Sequence, residues 1–200
     1  MRVIGITGGV GAGKSTVLDI IKKKCNCHIL LADLAAHEVK KKGQVCYDEL
    51  VELLGDKVLM PDGEIDKSAM AQMIFSDNSD ELLRKVNAII HPRVKEYIIN
   101  MIEEYRTAGL VDYFFVEAAL LIEDGYRDIC DELWYIYADD RVRAERLRQS
   151  RNYTDEKIGS IMKAQNDDAT FRRCCDRIIE NNGDLEETGK QIESILSGER

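Results

Sequence analysis

Gly8-Gly9-Val10-Gly11-Ala12-Gly13-Lys14-Ser15 decides the fold of this 200-residue chain. The run fits the pattern G-x-x-x-x-G-K-[ST] at all four specified positions, a match expected by accident on the order of once in a hundred chains of this length. Glycines let the backbone take turns closed to other residues, so several N–H groups converge on phosphate oxygens. Gly9, Gly11, Ala12 and Gly13 are the candidate cradle. Lys14 reaches toward β- and γ-phosphates, and the Ser15 hydroxyl is the candidate Mg²⁺ ligand. Thr16 opens a helix whose dipole presents its positive end to the same anion.

The flanks supply the context this motif needs. Arg2 to Thr7 reads as a short buried strand, and Thr16 to Ile21 as a helix with Val17, Leu18 and Ile21 on one face. Further strands are expected at His28–Asp33, Asp112–Glu117, Leu133–Ala138 and Arg177–Glu180, separated by helices. One helix should run from Leu34 to Lys42, closed by Gly43, and another from about Leu185 to Leu196. Such alternation predicts a parallel five-stranded sheet with right-handed crossovers, a three-layer α/β fold. Residues 44–109 read as mainly helical, with turn signals at Gly55, Pro61-Asp62-Gly63 and His91-Pro92. The expected organisation is a single domain. Its core comprises 1–43, 110–140 and 176–200, with a helical insertion at 44–109 and a lid at 141–175.

Composition narrows the function classes. Twenty-eight basic against 37 acidic residues give a net charge of −9, which argues against nucleic acid as a partner. No apolar run approaches a membrane span, and the strand beginning at Arg2 leaves no room for a signal peptide. The six cysteines form no CxxC pair, which fits reduced thiols and a cytoplasmic location. Cys25-Asn26-Cys27-His28 lacks the second ligand pair that a metal corner would need.

Ligands of parallel sheets lie beyond the carboxyl ends of the strands. Asp33 and Glu117 are expected to end two strands at that edge. Asp33 is the candidate catalytic base for an acceptor hydroxyl, with helix capping as the alternative. Arg141, Arg143, Arg146, Arg148 and Arg151 form a basic cluster suited to a phosphate-clamping lid, although about half of it also reads as a solvated face. Neither a DxxG switch nor an NKxD guanine box occurs in usable order. A small phosphotransferase therefore fits better than a GTPase or another nucleotide-switched binding protein.

The ordered motifs resemble those of the dephospho-coenzyme A kinase family over essentially the whole chain. They are Gly5 to Thr16, Ala32-Asp33 with Ala36-His37, Asp62 to Lys67, Phe75-Ser76-Asp77 and His91-Pro92. Leu120-Leu121-Ile122-Glu123, Arg146-Leu147, Ala164-Gln165 and Asp176 to Gly183 follow. The resemblance implies a P-loop NTPase core, a helical acceptor-binding insertion and a lid. It implies ATP and Mg²⁺ as cofactors and transfer of the γ-phosphate to the 3′-hydroxyl of dephospho-coenzyme A, the last step of coenzyme A synthesis. Another small-molecule or nucleoside monophosphate kinase is the rival reading. By resemblance, Asp33 is the base, Lys14 and Arg146 act on the phosphates, and Asn181 and Gly183 lie by the adenine. His91, Leu120 and Glu123 would hold the acceptor, and the enzyme would be a monomer or weak homo-oligomer. The chain departs from the family pattern at Leu31, Glu117, Ala119 and Arg143. It departs also at Lys67, where an arginine is frequent and where lysine lacks the planar fork.

Overall fold

A computed structural model describes residues 1–76 and 80–198. Asp77, part of one motif above, lies outside the described residues. The chain forms two compact units, Met1–Ile29 with Tyr105–Arg200, and Leu30–Glu104.

The first unit is organised by β1 (Arg2–Thr7), buried from Val3 onward on both faces. A strand apolar on both faces belongs in the middle of a covered parallel sheet, and β1 sits there. The strands are β2 (Cys27–Leu31), β3 (Tyr113–Glu117), β4 (Glu132–Tyr137) and β5 (Arg177–Glu180), in the order β2-β3-β1-β4-β5. Parallel pairing sets Ile6 opposite Glu117 and Trp134, and Tyr137 opposite Glu180. The carboxyl ends of the central strands therefore lie side by side. Helix α1 (Lys14–Lys24) buries Val17, Leu18 and Ile21.

The second unit holds α2 (Ala32–Glu38), α3 (Val45–Leu54), a 3₁₀ turn at Asp56–Val58, α4 (Lys67–Ser76) and most of α5 (Asp80–Ala108). Val86, Ile90, Val94, Ile98 and Ile102 are buried at four-residue intervals along α5. That stripe is the unit's main apolar seam. Leu59 and Ile65 form an antiparallel bridge that closes the Pro61-Asp62-Gly63 turn, and Tyr47 donates to the Gly63 carbonyl at 2.6 Å.

The remaining helices belong to the first unit: α6 (Asp140–Arg151), α7 (Asp155–Lys163), α8 (Asp168–Cys174) and α9 (Leu185–Ser197). Thr154, Asp167 and Asp184 cap the last three by accepting from backbone N–H groups of the first turn.

Four expectations need correction. Asp33 does not end a strand: β2 stops at Leu31 and Asp33 stands in the first turn of α2, which ends at Glu38 rather than Lys42. It is not the N-cap either, because Leu31 takes that position. His91-Pro92 is no turn, since both residues lie inside the continuous α5. Proline removes one backbone bond there, and the buried four-residue stripe outweighs that loss.

Candidate active site

The glycine loop joins β1 to α1, and its backbone admits little else. Gly13 caps α1 in the left-handed region, at φ 90° and ψ 31°. A Cβ on it would come within 2.3 Å of Asn181 Nδ2, and one on Gly11 (φ 83°) within 2.8 Å of the Arg143 carbonyl. Larger residues at these positions meet both strain and collision.

The loop carbonyls are fastened from outside. Arg143 Nε donates to the Val10 carbonyl at 3.0 Å, while Arg146 Nη1 at 3.2 Å and Asn181 Nδ2 at 2.8 Å donate to that of Ala12. A trans peptide points its C=O and the next N–H in opposite directions. Tethering these two carbonyls therefore turns the N–H groups of Gly11 and Gly13 the other way, the polarity an anion cradle needs. Gln165 Oε1 accepts from Val10 N–H at 3.1 Å and from Arg143 Nη2 at 2.7 Å, tying the segment after α7 to the loop.

Lys14 Nζ donates to the Gly8 carbonyl at 2.8 Å and lies 3.6 Å from Glu117 Oε1. Both side chains are largely shielded, so the pair holds the ammonium at the loop. Ser15 is exposed and Thr16 half-buried in the first turn of α1. Among the described residues no group of three or more His, Cys, Asp or Glu could hold a metal ion. The oxygens present, Ser15 and Glu117, are hard donors and suit Mg²⁺, which typically takes few protein ligands and completes its shell with water and substrate phosphate.

Of the basic cluster, Arg143 and Arg146 reach the loop. Arg146 Nη2 also donates to the Asn181 carbonyl at 2.8 Å, and Arg143 Nη1 to Asp140 at 3.1 Å. Arg148 pairs with Asp155, and Arg151 lies over the Tyr153 ring, so these two belong to the solvated face. Asn181 is 1% exposed. Its amide is committed: Nδ2 to Ala12 and Oδ1 to the Thr188 hydroxyl, at 3.2 Å. Asn182 accepts from Asp139 N–H, and Gly183 is exposed beside it. In the turns after β3, Leu120 is exposed and Glu123 accepts from Asn166 Nδ2 at 2.7 Å.

The second unit carries its own cavity, of about 320 Å³, lined by Asp33, His37, Lys40, Lys41, Met60, Glu64, Ile65, Lys67 and Met70. Asp33, His37 and Lys40 follow at four- and three-residue spacing, one face of α2 and the turn that continues it. Burial lowers the Lys40 pKa, the neighbouring Lys67 charge adds to this, and Cys46 and Asp33 oppose it. His91, half-buried on α5, is not among the lining residues.

The family model for dephospho-CoA kinase matches residues 2–187. The chain belongs to the dephospho-CoA kinase family. A dephospho-CoA kinase from Moorella thermoacetica is 37% identical over 193 residues, 96% of this chain and 89% of that protein. A crystal structure from Thermus thermophilus superposes with a TM-score of 0.80 at 25% identity, covering 98% of this chain and 97% of the other. Dephospho-CoA kinase from Campylobacter jejuni shares the fold, with a TM-score of 0.73 at 22% identity and full coverage of both chains. The chain is thus a kinase of the α/β class, as its sequence predicts. No helix among the described residues is long and apolar enough to cross a membrane.

Sequence reasoning misses the tether at Gln165, the buried commitment of Asn181 and the place of Lys40 in the second cavity, and it marks Lys67 only as a departure from a family arginine. The motif pairs Ala164-Gln165 and Asp66-Lys67 mark the positions without indicating what they do.

Proposed function

We propose that this dephospho-CoA kinase, working in the cytoplasm with MgATP, transfers the γ-phosphoryl group to the 3′-hydroxyl of dephospho-coenzyme A. The observation that carries the reading is the gathering of Lys14, Arg143 and Arg146 on a glycine loop whose carbonyls are tethered outward. Such a loop binds the phosphates of a nucleotide donor. The acceptor follows from the family.

In this reading the glycine loop takes the donor and Asp33 serves the acceptor. Asp33 accepts the proton of the attacking hydroxyl as the O3′–Pγ bond forms. The bond from Pγ to the β,γ-bridging oxygen breaks, and ADP departs with that electron pair. Loop N–H groups and Lys14 stabilise the charge that develops on the phosphoryl oxygens. Arg143 and Arg146 hold the loop through its Val10 and Ala12 carbonyls, and the family resemblance makes Arg146 the candidate lid arginine for the phosphates. Ser15 and Glu117 would hold Mg²⁺, which supplies charge neutralisation when bound. Asn181, through Ala12, keeps the loop in shape, leaving exposed Gly183 as the part of that turn open to the adenine. His91, Leu120 and Glu123 remain candidates for holding the acceptor.

The test is ADP release measured with and without dephospho-coenzyme A. Release that depends on the acceptor, with product phosphorylated at the 3′-oxygen, is expected. ADP release indifferent to dephospho-coenzyme A refutes the assignment.

A further inference from the structure

The cavity of the second unit carries more cationic charge than its carboxylates neutralise. Three lysines, Lys40, Lys41 and Lys67, face it, against the two carboxylates of Asp33 and Glu64. Three of these groups have other work. Lys41 pairs with Glu38 at 2.7 Å, and Glu64 accepts from the Lys42 N–H at 3.2 Å. Asp33 is the proposed base. Among the described residues neither the Lys40 nor the Lys67 ammonium has a carboxylate within ion-pair distance, although the two charges sense each other.

Lys40 is partly desolvated, and the exposed Lys67 ammonium adds a like charge that lowers the Lys40 pKa further, so the cavity holds Lys40 at a cost. An anion that enters removes both penalties at once, because it pairs with the ammonium groups and screens their repulsion. Met60, Ile65 and Met70 make the remaining wall apolar. A polyanion on the cationic side with an uncharged remainder on the apolar side fits this lining. The acceptor of the proposed reaction has that form: a ribose hydroxyl, a 5′-diphosphate and a neutral arm.

We propose that Lys40 and Lys67 form the subsite for the acceptor's diphosphate, in the same cavity that presents Asp33. The assignment rests on the reaction proposed above. Lys67 opens α4 and Lys40 stands in the turn that continues α2, so the subsite draws on two elements of one unit. Each lysine serves as a point charge, which tolerates a rotating diphosphate better than a planar fork would. Discrimination then follows from charge: acceptors that carry the 3′-hydroxyl without the diphosphate lose this contact.

The experiment compares dephospho-coenzyme A with adenosine, which offers the hydroxyl alone, in the wild type and in Lys40→Gln and Lys67→Gln. The ratio of kcat/KM for dephospho-coenzyme A over adenosine should fall about 10–100-fold in each variant, the scale of one lost charge-assisted contact. Lys67→Arg should keep most of the ratio. Both Gln variants should melt no lower than the wild type, since each removes a repulsive charge. A ratio that survives both Gln substitutions, while the wild type still phosphorylates dephospho-coenzyme A, overturns the diphosphate subsite alone. The subsite falls equally if the Gln variants lose rate to the same extent on both acceptors or melt well below the wild type. A wild type that leaves dephospho-coenzyme A untouched overturns the functional reading and the subsite together.

Discussion

Asn181→Asp replaces one polar atom of a buried side chain and should cost far more than its size suggests. In the wild type, Nδ2 donates to the Ala12 carbonyl at 2.8 Å from a residue that is 1% exposed. The substitution puts an acceptor where a donor stood, so two oxygens face each other at that distance. The lost bond is worth about 1 kcal/mol and the buried charge about 1–3 more. Arg146 offsets part of this, but Nη1 and Nη2 are already engaged, on Ala12 and on the Asn181 carbonyl. A net loss of about 2–4 kcal/mol follows at neutral pH, or about 4–16 °C in melting temperature for a chain of this size.

The pH dependence separates this mechanism from simple disruption. Burial and the facing carbonyl raise the new carboxyl's folded-state pKa above its unfolded value. Above that pKa the variant carries the charge penalty; below it the protonated carboxyl can donate to Ala12 again. The deficit relative to wild type should therefore shrink as pH falls from about 7.5 to about 5. Paired urea or thermal melts at the two pH values measure it, with Asn181→Ala as the uncharged control whose deficit stays nearly constant. If Asn181→Asp matches the wild type at the higher pH, or its deficit ignores pH, the tether to Ala12 is not what holds this loop.

Other substitutions probe the remaining parts. Lys14→Ala should lower kcat/KM by about 10²–10³-fold or more while leaving the circular dichroism spectrum intact, and normal turnover would sink the proposed donor site. For Asp33→Asn, binding of a fluorescent ATP analogue should persist while turnover falls by roughly 10²-fold or more. An unchanged rate would leave Asp33 as an acid complementing the first turn of α2. Pro92→Ala should stabilise α5 by about 2 kcal/mol, the cost of a mid-helix proline less the stiffening it gives the unfolded chain. A lower melting temperature for that variant would show that the proline fits its position better than the helix rule allows.

How much of the molecule is legible in the sequence depends on how far apart the cooperating residues lie. The strand, glycine loop and helix from Arg2 to Lys24 are one continuous segment, so pattern and structure coincide there. Asp33 reads as a strand end because the apolar run from His28 to Ala32 gives no boundary signal, yet the helix absorbs Ala32 and Asp33 at its start. Pro92 misleads for the opposite reason: a strong local signal loses to a buried stripe extending beyond it on both sides. The loop's fastening is beyond any window, since Gln165 meets Val10 across 155 residues and Asn181 meets Ala12 across 169. That separation carries a functional consequence. The Val10 and Ala12 carbonyls, which set the cradle's polarity, take their donors from residues in the last third of the chain. The motif supplies a backbone able to bind phosphate, and distant arginine and asparagine side chains fix which way its peptides point.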